Sequence, residues 1–376
     1  AEGRGLVARL AETGRKLEEA RFELDNPRQS VGFDQLEKFF EKAKLLPLLE
    51  KSVRGPKRKD QYSPAEMLYE FIGAVIGAQD QPLEAGRNLT PRVHRPMRGP
   101  SLGELRQFIE GLHSSELAGA REAHDALRAS FFPTTKRTDP LTVDLDTLEL
   151  VVDQRPRPPL SYWPLVLYVQ ELQEFWHGTL RMAPDNSPKA IVDFLSEGLS
   201  RMPSLLEKSK VRVRADARFH GDAVVRLLEA KKCSYVISTP DSADLRVAAR
   251  ACAYTPLAEG WEAGEWVRKG RSSSAPEART IALRHARSAQ PQPVIPFTFR
   301  DPQHVYHAFA VDRKITAAEA LASAASRETA EEREHALLKD FCPNRMKARG
   351  SEAHTTFLPL FLLSADLMQW YRRSVK

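Results

Sequence analysis

The sequence predicts an α/β protein: a mixed β-sheet with an inserted antiparallel β-subdomain, preceded by an all-helical N-terminal domain. Three observations lead there. Apolar residues recur at helical spacing up to about residue 132, as in Phe33-Leu36-Phe39-Phe40 and Met67-Leu68-Phe71-Ile72-Val75-Ile76. From about residue 139 the pattern changes to short runs rich in Val, Leu and Thr, interleaved with helical segments. Between residues 240 and 312 further short strands with polar turns interrupt that order, and helix returns after them.

Within the helical region, Ser63-Pro64-Ala65-Glu66 is a start signal. Ser63 can cap, Pro64 suits the first helical position, and Glu66 can reach back to the cap. Ser101-Leu102-Gly103-Glu104 repeats the pattern before Leu105, Phe108, Ile109 and Leu112. Between these helices, Arg87 to Arg98 is basic and punctuated by Pro91 and Pro96, and carries Arg92, Arg95 and Arg98. Two readings fit it: a solvated linker, or a phosphate-gripping arm beside a helix-turn-helix-like DNA reader.

Leu141 to Val152 reads as a strand, and Asp153 to Pro159 as a turn or loop. Leu165-Val169 and Phe175-Leu180 are two further strands, and Ser187-Pro188 opens a helix with Ile191, Phe194, Leu195 and Leu199 on its apolar face. A strand ending near Asp216, a helix from about Asp222 to Lys231 and a strand from Cys233 to Ser238 complete the series. Three strands, helix, strand, helix, strand is the order of a ribonuclease-H-like core. Leu245-Ala248, Glu265-Arg268, Thr280-Arg284 and His304-Phe309 read as the inserted antiparallel strands, with Gly270-Ser274 as a tip and Gln290-Pro293 as a linker. Helices over Thr316-Phe341 and Phe357-Arg373 close the chain. The expected division is therefore 1–132, then 139–239 together with 313–376, with 240–312 inserted.

At 376 residues, with 28% charged side chains and a formal net charge of +6, the chain leans toward a polyanionic partner. Cys233, Cys252 and Cys342 are few, odd in number and unlike metal ligands in spacing, which fits a reduced intracellular compartment. No apolar run approaches the ~18 residues of a membrane span. Phe357 to Met368 comes nearest and is interrupted by Ser364 and Asp366, so it reads as a core helix. The opening residues carry no apolar signal-peptide segment and no starting methionine.

Carboxylates carry the chemistry. Asp144 and Asp146 sit two apart on one strand and share a face, where like charges repel unless solvated, cation-bound or protonated. Asp216 follows another strand, flanked by Arg214 and Arg218. On the helix near residue 330, Glu332, His335, Ala336 and Lys339 fall on one face. Each feature alone also fits a solvated acidic residue. Together, two strand aspartates and a helical glutamate are the arrangement that holds a pair of Mg²⁺ ions for phosphodiester chemistry.

These stretches resemble the group-1 branch of DDE-class insertion-sequence transposases, which mobilise bacterial DNA elements. The likeness runs from about Ser63 to Arg373. It rests on Leu141-Thr142-Val143-Asp144-Leu145-Asp146-Thr147, on Ser161-Tyr162-Trp163-Pro164-Leu165, on Arg214-Ala215-Asp216 leading through Phe219 to Tyr235-Val236-Ile237, and on Glu332 with Lys339. The last pair matches the end of a helical pattern Tyr-x2-Arg-x3-Glu-x6-Lys. Its front departs: Ala325 replaces the tyrosine and Glu328 the arginine, with Arg327 one position away. Glu331 is therefore a rival third acid, and Glu334 a weaker one.

The resemblance implies a ribonuclease-H-like catalytic domain. Asp146, Asp216 and Glu332 would bind two Mg²⁺, with Mn²⁺ able to substitute, about 4 Å apart. Asp146 is preferred to Asp144 because this class places Thr or Ser after its first acid, as Thr147 stands here. Lys339 would meet a phosphate, Arg214 and Arg218 would do the same or neutralise the acidic cluster, and Arg92, Arg95 and Arg98 would grip the duplex. Trp261 and Trp266 would stack an unpaired base or belong to the core. The implied partner is double-stranded DNA, both the element's terminal inverted repeats and the target, bound by a homodimer in the cytoplasm at the nucleoid. A ribonuclease-H-like nuclease without strand transfer, and an inactive domesticated copy that only binds DNA, are the contrasting readings.

Overall fold

The computed structural model describes residues 27–55, 62–77, 100, 102–132, 140–153, 160–181, 187–203, 206, 210–258, 260–268, 278–289, 295–340 and 351–374. Among them the chain is α/β with an open mixed sheet of ten strands, helices on both faces and a helical N-terminal part.

The N-terminal part comprises α1 (Pro27–Lys42), α2 (Leu45–Ser52), α3 (Pro64–Gly77), α4 (Leu102–Glu110) and α5 (Ser114–Phe131). Helix α3 begins where its capping box predicts. Ser63 N donates to Glu66 Oε2 at 2.7 Å, and Glu66 N donates to Ser63 Oγ at 3.2 Å. Phe39, Phe40, Leu68, Phe71, Ile72, Phe108 and Leu127 form the core of this bundle. Ser101 and the Arg87–Arg98 segment lie outside the described residues.

The sheet is built from β1 (Leu141–Thr147), β4 (Leu165–Val169), β5 (Glu174–Thr179), β6 (Val211–Ala215) and β7 (Ser234–Ser238). A small hairpin, β2 (Leu150–Asp153) with β3 (Leu160–Tyr162), stands apart. The strand expected over Leu141 to Val152 is thus broken at Leu148-Glu149 into β1 and β2. The order is β5-β4-β1-β6-β7, antiparallel on the β4 and β5 side and parallel from β1 through β6 to β7. Helices α6 (Pro188–Ser200) and α7 (Asp222–Ala230) connect the later strands and cover one face, on which Val143, Leu145, Leu167 and Val213 are buried.

The region 240–312 departs from expectation at one element. Leu245-Ala248 is not a strand but part of helix α8 (Ala243–Ala251). Ser242 Oγ accepts from Leu245 N at 3.2 Å, and Leu245 and Ala249, one turn apart, are its buried positions. The remaining strands, β8 (Thr255–Ala258), β9 (Trp261–Arg268), β10 (Ala278–Ala286), β11 (Phe299–Arg300) and β12 (His304–Val311), do form. They extend the central sheet, because β12 pairs antiparallel with the edge of β7. Helix α9 (Ala317–Asp340) follows β12.

Helix α10 (Ser351–Ser374) ties the two parts together. Its Phe357, Phe361, Leu367 and Trp370 enter the N-terminal core, while Leu358, Leu362 and Ala365 pack on β4 and β5 through Val166, Tyr168 and Phe175. This is the core helix expected from the apolar run, and it begins six residues earlier than expected. No helix among the described residues is long and apolar enough to cross a membrane.

Candidate active site

Strands β1 and β6 are parallel neighbours at the point where the chain turns outward in opposite directions across the sheet. Such switch points open a crevice at the carboxyl ends of the strands. Asp144 is in register with Arg214, and Leu145 with Ala215, so Asp146 and Asp216 come next along the two strands. Strand pairing alone thus delivers the two aspartates to one end of the sheet.

The two acids of β1 separate cleanly. Asp144 holds Arg214 in a two-pronged pair, with Nε to Oδ1 at 2.7 Å and Nη2 to Oδ2 at 2.6 Å, both side chains being almost wholly buried. Arg214 Nη1 donates to the Ser323 carbonyl at 2.7 Å and to Ser326 Oγ at 2.6 Å, which fastens α9 to the sheet. Arg214, expected either to meet a phosphate or to neutralise the acidic cluster, is a buried cation paired with Asp144 whose donors are engaged inside the protein. Asp144 is its counter-ion.

Asp146 is 1% exposed and faces a different set of charges. Arg218 Nη2 lies 3.6 Å from Asp146 Oδ1 and 2.5 Å from Asp216 Oδ2, so one guanidinium spans the two aspartates. Asp216 fixes it further by capping the 3₁₀ turn Ala217–Phe219: Arg218 N donates to Asp216 Oδ1, and Arg218 Nε to Oδ2, both at 2.7 Å. Arg327 of α9 brings Nη2 to 3.7 Å from Asp146 Oδ1. Burial opposes both guanidinium charges. The hydrogen bond that Arg218 donates to Asp216 and the charges of Asp216, Asp146 and Glu331 nevertheless raise Arg218, and the charges of Asp144, Asp146, Asp216 and Glu331 raise Arg327.

Of the two leading candidates for a third acid, Glu331 is the one whose charge reaches Arg218 and Arg327. Glu332 is exposed, whereas Glu331 is half-buried and acts electrostatically on both Arg218 and Arg327. One residue is a 100° rotation on a helix, and the anchoring of Ser323 and Ser326 by Arg214 fixes that rotation. Arg327 and Glu331 are four apart and share a face, so the arginine missing one position from its expected place belongs with Glu331. Arg327 is the residue that sequence reasoning passed over, and this spacing was its signal. The side chain of Lys339, and Arg92, Arg95 and Arg98 altogether, lie outside the described residues.

Thr147 closes the end of β1. Its backbone N donates to Asp146 Oδ1 and its Oγ1 to the Pro164 carbonyl, each at 2.7 Å, and Arg181 Nη2 donates to Oγ1 at 3.0 Å. Among the described residues, no three Asp, Glu, His or Cys side chains form a ready-made cation shell. The carboxylates gather around guanidinium groups instead. Trp261 is 2% exposed, edge-on to His285 and His307, which fits the core reading and leaves no face for a base.

A second polar cluster, hidden in sequence, lies where β5 meets α5 and α10. Asp366 accepts from Phe175 N at 2.8 Å and pairs with His124 Nε2 at 2.7 Å, and Arg128 Nη2 donates to the Phe175 carbonyl at 2.9 Å. Trp370 Nε1 donates to Glu174 at 2.7 Å, and Arg373 pairs with the same carboxylate. Asp366 and Arg128 thereby satisfy the backbone groups of Phe175 on the edge strand β5. No family model matches the chain, and no curated protein matches it.

Proposed function

We propose that the protein is a DNA transposase of the DDE class, with a ribonuclease-H-like catalytic core that cleaves element ends and joins them to target DNA. The observation that carries this reading is the approach of Asp146 and Asp216 at the ends of parallel neighbours β1 and β6, with Glu331 and Arg327 of α9 beside them. The order β5-β4-β1-β6-β7, with helices between the later strands, agrees with the expected core.

The donor set suits the implied metal. Asp146, Asp216 and Glu331 offer only carboxylate oxygens, the ligands that hard divalent cations such as Mg²⁺ and Mn²⁺ take. When bound, such a pair of ions lowers the pKa of an attacking water or 3′-hydroxyl and stabilises the leaving oxygen at phosphorus. The protein's own residues do the rest. Arg214 and Asp144 lock β1, β6 and α9 into one frame, Thr147 fixes the orientation of the Asp146 carboxylate, and Arg327 supplies a permanent positive charge beside it. Arg181 and Arg218 add positive charge at the rim, where a phosphate backbone would lie. The reading places the protein in the cytoplasm, working on double-stranded DNA as a homodimer.

The test is incubation with Mg²⁺ or Mn²⁺ and a labelled duplex carrying the sequences that bracket the gene. Metal-dependent cleavage followed by joining to a second duplex supports a transposase. Cleavage without joining returns the nuclease reading, and binding alone returns the inactive copy.

A further inference from the structure

We propose that Arg218 is an exchangeable counter-ion of the carboxylate site: a divalent cation enters by displacing its guanidinium from between Asp216 and Asp146. This inference rests on the metal-binding reading above and adds the element that regulates it.

Three features of Arg218 carry the proposal. The first is position. One nitrogen, Nη2, stands 2.5 Å from Asp216 and 3.6 Å from Asp146. An ion coordinated by both carboxylates stands ~2.1 Å from an oxygen of each, in the space that nitrogen fills. The second is freedom to leave. Arg218 has 44% of its side chain exposed, while Arg327, on the other side of Asp146, has 14% exposed. Phe219 is 2% exposed and anchors the turn, so the backbone can stay in place while the arginine side chain swings outward. The third is charge. Asp146, Asp216 and Glu331 are balanced by Arg327 together with the first divalent ion to enter, whereas retaining Arg218 between them as well would leave excess positive charge in a partly buried site.

Arg327 and Arg218 thus divide the work. The first is a fixed charge and the second a mobile one that offsets the repulsion between the two aspartates until a cation arrives. Metal affinity is set by this competition as well as by the carboxylates.

The test is Mn²⁺ binding to the full chain without DNA, followed by the electron paramagnetic resonance signal of the free ion, for wild type, Arg218→Gln, Arg218→Lys and Asp216→Asn. Removing one positive charge at this distance should tighten Mn²⁺ binding about tenfold or more in Arg218→Gln. Arg218→Lys, which keeps the charge, should stay within about threefold of wild type, and Asp216→Asn should weaken binding at least about tenfold. Thermal unfolding confirms that each variant is folded, and should Arg218→Gln not fold, the same comparison is made with Arg218→Met. Arg218→Gln binding Mn²⁺ no more tightly than wild type, while Asp216→Asn loses it, overturns the exchange and leaves the metal site standing. Equal binding by wild type and Asp216→Asn, or no binding by any variant, overturns the metal site and the exchange with it.

Discussion

Asp144 and Arg214 face each other across β1 and β6 as a registered pair, joined by two hydrogen bonds of 2.7 and 2.6 Å and sealed from solvent. The consequence is a division of labour between two aspartates that look alike in sequence. Asp144→Ala strands a buried guanidinium and should cost about 3–5 kcal/mol of stability. Asp146→Asn keeps an acceptor for Thr147 N and should cost only about 1 kcal/mol. Urea denaturation of the two variants checks this, and equal losses would contradict it.

Gly119 packs directly against the neighbouring helix backbone in the helical part. A Cβ there would overlap the Ser52 carbonyl oxygen and lie 2.8 Å from its carbon and 2.9 Å from Val53 Cα. These are backbone atoms at the end of α2 and cannot rotate away. Gly119→Ala should therefore destabilise by about 1–3 kcal/mol, even though alanine is the better helix former. A thermal melt at or above the wild-type midpoint would refute the close contact.

The cluster at β5 predicts a pH dependence. Burial, then the neighbouring Asp366, raises Glu174 to about 7, and burial raises Asp366 to about 7 against the pull of Arg128. Burial pushes His177 down to about 4 and His124 well below its usual value. A carboxyl raised on folding contributes its stability in full below its unfolded pKa of about 4, and loses it as pH rises through about 7. A histidine lowered on folding contributes above its unfolded pKa of about 6.5, and loses it as pH falls toward about 4. The two slopes oppose each other. Asp366→Asn removes one carboxyl contribution, so its stability should rise more steeply with pH between 4 and 7 than that of wild type. Urea midpoints across that range measure it, and parallel curves would count against a raised Asp366.

Much of this architecture is legible in the sequence because local rules and the final structure agree. Ser63 and Glu66 mark the start of α3, and the apolar spacing of Phe194 and Leu195 marks the face of α6. Leu245-Arg246-Val247-Ala248 misleads because apolar and polar residues alternate there. The deciding contacts are the Ser242 cap and the burial of Leu245 and Ala249, with Val247 left 67% exposed. The joining of β12 to β7 is invisible in sequence, since strand periodicity identifies a strand but not its partner. The choice between Glu331 and Glu332 depends on a helix rotation set by Arg214, 109 residues before Ser323. Asp366 was visible only as a break in an apolar run, and its partner His124 is 242 residues away.

The Arg87–Arg98 segment lies outside the described residues and is testable in solution. If Arg92, Arg95 and Arg98 grip phosphates, neutralising all three should lower the salt slope of duplex binding by ~2.7, at ~0.9 per contact. Specific and non-specific duplexes should weaken alike, because phosphate contacts carry little sequence information. An unchanged slope would make this segment a solvated linker.

The central claim is that Asp216 serves the reaction as a metal-binding carboxylate. Its most direct test is Mg²⁺-dependent cleavage of a plasmid carrying the gene with its flanking sequences, compared between wild type and Asp216→Asn. The substitution keeps the shape and one acceptor oxygen, enough for Arg218 N, and removes one negative charge. Cleavage should fall by at least about a hundredfold, while duplex binding in a filter or gel assay stays equal or becomes slightly tighter. Cleavage by Asp216→Asn within a few-fold of wild type would contradict the account.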